Sequence, residues 1–207
     1  MSIKDKYSSY AELEKHECEG KDFLRYAVER SSSVAIFAIH GGNIEPGTSE
    51  IAKAIAGEDF SLYCFEGLKP RGNRALHIAS HNFDEPSSLV LVGRSRIIVA
   101  VHGCDNKADK KADKVFVGGL DGNLIKAIIY SLRNAGIHAE IDASDHSGKD
   151  ANNICNRGTS RKGIQLEISK KLRRKMFMGL GSGKIKMVKP IFDKFVCSVR
   201  DVLRKLD

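Results

Sequence analysis

Five short runs of apolar residues recur along the chain, and each has the length and composition of a β-strand. The runs are rich in aliphatic and β-branched residues and are bounded by polar residues or glycine. They lie at Val34–Ile39, Leu62–Phe65, Ile97–Val101, Ile137–Ile141 and Ile164–Ile168. Short runs with so few polar residues are typical of strands that are buried on both faces of a parallel sheet.

Between these runs lie segments that space their apolar residues as a helix does. Pro46–Ala56 begins with a proline, which the first turn of a helix accommodates. Asp121–Ala135 repeats apolar residues every four positions and is followed by Gly136, and Lys189–Leu206 has its apolar residues on one face. Strands that alternate with helices predict an α/β fold, with a mostly parallel sheet covered on both faces.

Length and composition restrict the class of protein. The 207 residues suit one domain, and an apolar share of 42% with a charged share of 29% excludes a fibrous or wholly disordered chain. No apolar run approaches the roughly 20 residues of a membrane span. The N-terminus lacks the apolar core of a signal peptide, and five widely spaced cysteines without a CxxC pair are typical of reduced thiols. We therefore expect one domain over residues 1–207, in a cytoplasmic protein that cell lysis can release. We also expect the protein to be a monomer.

The net charge of +8 is concentrated at the C-terminal end of the chain. Residues 169–207 contain twelve Lys and Arg against three Asp and Glu, so the rest of the chain is close to neutral. A basic segment invites a nucleic-acid interpretation. This one lacks the interleaved aromatic residues of a base-stacking surface, so we expect no nucleic-acid partner. We expect instead a basic helical segment at about 184–207 that packs on the body of the protein.

Two loops have unusual compositions. Residues 105–114 duplicate a KADK unit without an apolar anchor, which predicts a surface excursion. Residues 179–184 read GLGSGK, but a phosphate-binding loop needs a glycine where Met178 stands and a Ser or Thr where Ile185 stands. We therefore exclude a nucleotide-binding loop.

Histidine follows two of the predicted strands, and glycine follows each histidine. His40 and His102 should lie at the carboxyl ends of their strands, where ligand sites of open α/β sheets collect. Glu45 follows His40 just before a predicted helix. Two histidines and one carboxylate suit a zinc ion that keeps a coordination position open for water. The alternative is a pair of ordinary hydrogen-bonded loop histidines.

A zinc hydrolase needs a base that accepts a proton from the metal-bound water. Glu167 is our candidate, because it lies among aliphatic residues at the end of a strand, where a carboxylate is costly unless it faces a polar site. An outward-facing carboxylate on an edge strand is the alternative.

Polar loops supply candidate substrate-binding residues. Arginine follows asparagine at Asn73–Arg74 and at Asn156–Arg157, and a guanidinium binds a carboxylate in bidentate fashion. Ordinary surface solvation is the alternative for both pairs. The predicted substrate-binding set is Asn73, Arg74, His77, His81 and Arg157.

Several motifs, taken together and in this order, resemble the phage-associated poly-γ-glutamate hydrolases. They are HGGNIEPGTSE at 40–50, FEGL at 65–68, NRALH at 73–77, NFDEP at 82–86, HG at 102–103, GGL at 118–120, DANNICNR at 150–157 and GIQLEIS at 163–169. The resemblance implies a three-layer α/β/α sandwich with a mixed, mostly parallel sheet, similar to the metallocarboxypeptidases. It also implies one zinc hydrolase domain, with His40, Glu45 and His102 as zinc ligands and Glu167 as general base.

The reaction implied by the resemblance is hydrolysis of γ-glutamyl amide bonds in poly-γ-glutamate. Arginine side chains would hold the free α-carboxylates of the polymer. Two other functions stay open at this point. One is a small-molecule N-acyl-amino-acid deacylase that uses the same zinc site in a closed pocket, and the other is a non-enzymatic protein that binds polyanions through its basic end.

Overall fold

The computed structural model describes residues 5–104, 113–144, 147–180, 187–188 and 190–207, which form a seven-stranded sheet with helices on both faces. The strands of this sheet are β1 (Phe23–Val28), β2 (Val34–Gly42), β3 (Ser61–Gly67), β4 (Ile97–Cys104), β5 (Val115–Gly119), β6 (Ala139–Ile141) and β7 (Ile164–Ser169). The α-helices are α1 (Tyr10–Leu13), α2 (Thr48–Ala56), α3 (Pro86–Arg94), α4 (Gly122–Asn134), α5 (Lys170–Met176) and α6 (Pro190–Leu203). Two short strands, β8 (Phe177–Met178) and β9 (Met187–Val188), form a separate pair, and 3₁₀ turns lie at Asn73–Leu76 and Ile154–Asn156.

The sheet is mixed but parallel at its centre. Its strand order is β1-β3-β2-β4-β7-β5-β6, and the four central strands β3, β2, β4 and β7 run parallel. β1 and β5 are antiparallel to their neighbours β3 and β7. The carboxyl ends of β2, β4 and β7 therefore lie side by side at one edge of the sheet.

The two faces of the sheet belong to two separate apolar clusters. Val34 and Ile36 of β2 pack with residues of α2, α4 and α6, whereas Ala35 and Phe37 pack with residues of α1 and α3. Because neighbouring residues of a strand point to opposite faces, this division means that both faces are covered. The predicted three-layer α/β/α sandwich is thereby confirmed.

Most of the predicted strands and helices are present, with shifted ends. β2, β3, β4 and β7 each contain the predicted run, and α2, α4 and α6 lie within or close to the predicted helices. The run Ile137–Ile141 is only partly a strand, because the backbone N–H of Ile137 still donates to Leu132 O at the end of α4. The other elements were not predicted. Among them, β1 is an edge strand whose apolar run is interrupted by Arg25. Helix α5 has only two large apolar residues, Leu172 and Met176.

The C-terminal helix packs as its apolar spacing predicts. Phe195 and Val199 of α6 are fully buried against α2 and α4, and Lys194 lies on the exposed side. The loop predicted at 105–114 and the GLGSGK stretch fall mostly outside the described residues. No helix in the described part of the chain is long and apolar enough to cross a membrane.

Candidate functional site

A β-bulge near the end of β2 sets the position of His40. The register of β2 against β3 shifts between Ala38 and Gly41, so His40 sits where the regular ladder is interrupted. Bulges of this kind change the direction of a side chain at the end of a strand. The chain then turns back on itself, because the backbone N–H of Glu45 donates to His40 O at 2.9 Å. This turn returns the Glu45 carboxylate to the His40 ring.

Glycine is required at Gly42, two residues after His40. Gly42 has a φ of 59°, in the left-handed region that favours glycine. A Cβ at this position would also lie 2.6 Å from the carbonyl oxygen of Gly67 on β3. The tight return of the chain from β2 toward Glu45 therefore depends on a residue without a side chain.

His40, His102 and Glu45 meet at the carboxyl end of the sheet. His40 Nδ1 lies 3.0 Å from His102 Nδ1 and 3.1 Å from Glu45 Oε1. The other carboxylate oxygen, Oε2, lies 3.6 Å from His102 Nδ1 and accepts a hydrogen bond of 2.8 Å from the backbone N–H of Gly103. Both histidines are almost completely buried, at 2% and 3% exposure. The two predicted His-Gly units therefore converge on one carboxylate.

His77 is the third histidine of this cluster. Its ring stacks on that of His40 with 3.8 Å between ring centroids, and its Nε2 lies 3.9 Å from Glu45 Oε1. The other ring nitrogen, Nδ1, lies 2.7 Å from Asp5 Oδ1, while Asp5 Oδ2 accepts from the backbone N–H of Ala79. Asp5 thus reaches the site from the N-terminal segment. The sequence offered no signal for it, since it is one acidic residue in a charged stretch.

The donor atoms suit a metal ion. His40, Glu45 and His77 each offer a ligand atom, and these atoms lie within 4.8 Å of one another. The second nitrogens of the rings have partners of their own: Ile78 O at 2.8 Å for His40, Asp5 for His77, and Ser80 Oγ at 3.4 Å for His102. Metal-binding histidines usually have their outer nitrogen held in this way. Imidazole and carboxylate donors are also the ligands that catalytic zinc uses.

Glu167 lies beside His102 in the sheet. The two residues are directly paired across β4 and β7, so their side chains extend from the same face. Gln165 Nε2 donates to Glu167 Oε1 at 3.0 Å. Burial raises the pKa of Glu167 to about 8; His102 opposes this shift, and the carboxylates of Glu45 and Asp142 add to it. A carboxyl group with a pKa near neutrality can take up and release a proton.

The other titratable groups of the site are shifted by burial and by each other. Burial alone would raise the pKa of Glu45, but His40 and His102 beside it hold that pKa well below its usual value. Burial and the charge of His40 lower the pKa of His77 to about 4, although Asp5 acts in the opposite direction. In the absence of metal, Glu45 is therefore ionised and His77 neutral at pH 7.

The remaining predicted substrate-binding residues lie around the cluster and make other contacts. Asn73 is buried and exchanges two hydrogen bonds with the backbone of Lys69. Arg74 pairs with Asp5 at 3.5 Å, and Arg157 Nη1 donates to Phe83 O at 2.9 Å. His81 is exposed and makes none of the hydrogen bonds or ion pairs of the cluster within the described residues. We call His40, Glu45, His77 and His102 the metal-type cluster. Of the predicted substrate-binding set only His77 belongs to it, and the roles of all five stay predictions.

A mixed α/β sheet that places histidines and carboxylates at the carboxyl ends of its central strands has the layout of an α/β enzyme. The family model described as poly-gamma-glutamate hydrolase matches residues 7–198. The chain therefore belongs to the poly-gamma-glutamate hydrolase family, and it is a hydrolase.

Relatives and solved structures agree with this placement. UPF0714 protein YndL of Bacillus subtilis (strain 168) is 36% identical over 175 residues, which cover 84% of this chain and 67% of YndL. YmaC of the same organism is 36% identical over 204 residues, or 97% of this chain and 85% of YmaC.

Two solved structures share almost the whole fold. The bacteriophage poly-gamma-glutamate hydrolase superposes with a TM-score of 0.90 at 30% identity, over 98% of both chains. A zinc-free form of YndL gives 0.90 at 33% identity, over 98% of this chain and 99% of the other. N-formylglutamate amidohydrolase from Ralstonia eutropha JMP134 is similar in fold alone, with a TM-score of 0.54 at 10% identity over 89% of this chain and 96% of the other.

Proposed function

We propose that this protein is a zinc-dependent hydrolase that cleaves the γ-glutamyl amide bonds of poly-γ-glutamate. The observation that supports it most is that three imidazole rings each bring a nitrogen within 3.9 Å of the Glu45 carboxylate, while the other nitrogen of each ring has a partner of its own. The substrate follows from the family and from the bacteriophage hydrolase that this chain resembles over nearly its full length. We also propose that residues 1–207 form one hydrolase domain that functions as a monomer.

His40, Glu45 and His102 are the proposed zinc ligands. Ligands bonded at about 2.1 Å in a tetrahedral site lie about 3.4 Å apart. His40 Nδ1 and His102 Nδ1 lie 3.0 Å apart, which is close to that value. Each of them is also near a different oxygen of the Glu45 carboxylate, Oε1 at 3.1 Å for His40 and Oε2 at 3.6 Å for His102. Zinc held there supplies Lewis-acid chemistry, polarising a substrate carbonyl and lowering the pKa of a bound water.

Glu167 is the proposed general base. It lies next to His102 and is not one of the three ligands. The positive charge of bound zinc would lower the pKa of Glu167 and favour its ionised form, in which the carboxylate would accept a proton from the attacking water and pass it to the leaving amine. Gln165 fixes one of its oxygens by donating to it, which limits the orientations of the carboxyl group.

His77 is the proposed polar contact to the substrate. Asp5 accepts from its Nδ1 side, so the neutral ring presents Nε2 toward Glu45 and the cluster. A neutral imidazole in this orientation has an acceptor at Nε2, which suits the N–H of a substrate amide. Asp5 holds the ring in the required tautomer.

The test combines metal analysis with cleavage of polymer. Purified protein is analysed for metal, and a poly-γ-glutamate solution is followed by viscosity and by released amino groups. We expect about one zinc per chain, loss of cleavage on chelation and recovery on adding zinc. N-acetylglutamate serves as the comparison substrate. Cleavage of N-acetylglutamate without cleavage of the polymer would instead support the small-molecule deacylase, and zinc-independent cleavage would contradict the metal assignment.

A further inference from the structure

A cavity of about 260 Å³ opens beside Glu45 on the side of the site that faces α5. Its walls are Glu45 and the residues on either side of it, Gly103 of β4, Leu180, and three cations of α5. Glu45 belongs to the metal-type cluster and accepts a hydrogen bond from the backbone N–H of Gly103, so the cavity adjoins the cluster. The volume is below the roughly 300–1,000 Å³ of pockets that hold a whole drug-sized ligand. It therefore suits a group the size of one amino-acid residue.

The three cations are Lys170, Arg173 and Arg174. Lys170 and Arg174 are four residues apart on α5, so they extend from the same side of the helix, and both are exposed. An exposed lysine and an exposed arginine that line a concave wall together are suited to bind a carboxylate from two directions. The cavity is therefore basic on the side opposite Glu45.

Arg173 fixes a positive charge at the base of this cavity. It is only 2% exposed, and its guanidinium donates to three backbone carbonyls, Ile168 O at 3.1 Å, Pro46 O at 2.7 Å and Cys104 O at 3.4 Å. The guanidinium also lies against Gly103, where a Cβ would be 2.5 Å from Arg173 Cζ. These contacts tie α5 to the loop of Glu45 and to the end of β4. The helix that carries the cations of the cavity is therefore tied to the metal-type cluster.

The predicted carboxylate-binding arginines are less well placed. Arg74 pairs with Asp5, and the guanidinium of Arg157 is bonded to the backbone at Phe83. Neither of them lines the cavity beside Glu45. Within the described residues, the cations that surround a space next to the cluster are those of α5.

We propose that this cavity is a carboxylate subsite, in which Lys170 and Arg174 bind the α-carboxylate of a glutamyl unit next to the bond to be cleaved. The proposal rests on the proposed function and specifies it, because it says what the substrate must carry beside its reactive amide. Arg173 is a positioning residue that holds the helix against Glu45 and Gly103.

The experiment compares the double variant Lys170→Ala/Arg174→Ala with Lys171→Ala. Lys171 is on the same helix and has the same charge, but it does not line the cavity. Two short γ-glutamyl peptides are used, one with the free α-carboxylate and one in which that group is a carboxamide. Binding of the acid peptide is also measured by calorimetry on metal-free protein, a readout that needs no catalysis.

We expect the double variant to raise KM for the acid peptide about 10-fold to 100-fold, the effect of losing charge-assisted hydrogen bonds. We expect kcat to change little and the carboxamide peptide to be cleaved equally by both variants. The dissociation constant of the acid peptide should rise to a similar extent. Equal behaviour of the double variant and Lys171→Ala would overturn the subsite, as would equal losses on the two peptides.

Failure of the proposed function gives a different result. If zinc-loaded wild-type protein cleaves neither polymer nor peptide, the function is wrong, and the calorimetric comparison still decides whether the cavity binds a carboxylate. If wild-type protein cleaves both and the double variant binds the acid peptide normally, the function stands and the subsite is rejected.

Discussion

His102 and His77 approach the same carboxylate from two sides, and single substitutions separate their roles. His102 Nδ1 lies at ligand-like distances from both His40 and Glu45, whereas His77 Nε2 is 3.9 Å from the nearer oxygen of Glu45. We expect His102→Ala to lose bound zinc. His77→Ala should keep most of the metal but cleave polymer at least tenfold more slowly. Metal analysis after dialysis and initial rates on polymer provide the measurement.

The reverse pattern would assign the third ligand to His77. In that case His77→Ala would purify without zinc, and Asp5→Asn would weaken zinc binding as well, because Asp5 is the partner of the outer nitrogen of His77. His138→Ala is the control, since His138 is an exposed histidine just before β6 and belongs to neither the proposed ligands nor the predicted substrate-binding set.

Glu167→Gln tests the general base with almost no change in side-chain size. We expect this variant to retain zinc, since Glu167 is not a proposed ligand, and to lose activity at least on the order of 10²-fold, the usual contribution of general-base catalysis. Metal content and kcat on polymer are measured together. Glu140→Gln, on β6 and paired with Lys114, is the control for loss of a strand carboxylate. Near-normal activity in zinc-loaded Glu167→Gln would place the base elsewhere.

The raised pKa of Glu167 also predicts how stability depends on pH in metal-free protein. The pKa is about 8 in the folded state against an ordinary value of 4.5, so between these pH values the folded state binds more protons than the unfolded state. The free energy of unfolding therefore falls as pH rises through this window, by at most about 1.4 kcal/mol per pH unit. His77 acts oppositely, but only below its ordinary pKa of 6.5.

The comparison of wild type with Glu167→Gln isolates this effect. We expect the variant to gain stability relative to wild type steadily from pH 5 to pH 8, in urea unfolding curves recorded with chelator. A difference that does not change with pH would mean that Glu167 is ionised in the folded protein at neutral pH.

At the scale of secondary-structure elements, α6 is held by its apolar face. Phe195 is fully buried in the cluster formed by α2, α4 and the sheet. We expect Phe195→Ala to lower the free energy of unfolding by about 3–5 kcal/mol, the usual cost of removing a buried phenyl ring. The zinc content of the folded protein should not change, because no described residue of α6 contacts the metal-type cluster. Chemical denaturation and metal analysis check both statements, and loss of zinc from folded Phe195→Ala would contradict them.

At the scale of the whole molecule, the basic residues divide into two groups. The cations of α5 line the cavity beside Glu45, whereas the exposed cations of α6 lie on a helix that packs on α2, α4 and α5. Attraction between exposed charges fades beyond a Debye length of about 8 Å at physiological salt. We therefore expect the combination of Lys194→Glu on α6 and Lys205→Glu, two residues after its end, to leave kcat/KM on polymer and its dependence on salt unchanged.

The opposite outcome would give α6 a part in substrate capture. A steep loss of kcat/KM on polymer, with little loss on a short γ-glutamyl peptide, would show that the charges of α6 attract the polyanion from a distance. A difference in kcat/KM on polymer between variant and wild type that is present only at low ionic strength would support the same conclusion.

The sequence by itself determined the central elements and the core of the site. The four central strands are buried on both faces, so each has a continuous apolar run. Such a run can be recognised from its own residues, without knowledge of the neighbouring strands. His40 and His102 directly follow the apolar runs of β2 and β4 and lie in the last residues of these strands, and the carboxyl ends of parallel strands meet at one edge. Their proximity therefore followed from local sequence and a general rule of topology.

The tertiary structure decided everything that depends on distant segments. Asp5 reaches His77 from 72 residues away, and nothing near Asp5 in the sequence indicates that contact. The sequence did not predict α5, because its charged residues outnumber its apolar ones. Arg173 is nevertheless buried, because its guanidinium donates to backbone carbonyls of three separate segments. The spacing of apolar residues along the chain indicates which face of a helix or strand is buried. It does not indicate which distant backbone group or carboxylate that face will contact. The partners of His77 and the basic cavity beside Glu45 therefore became visible only once the chain was folded.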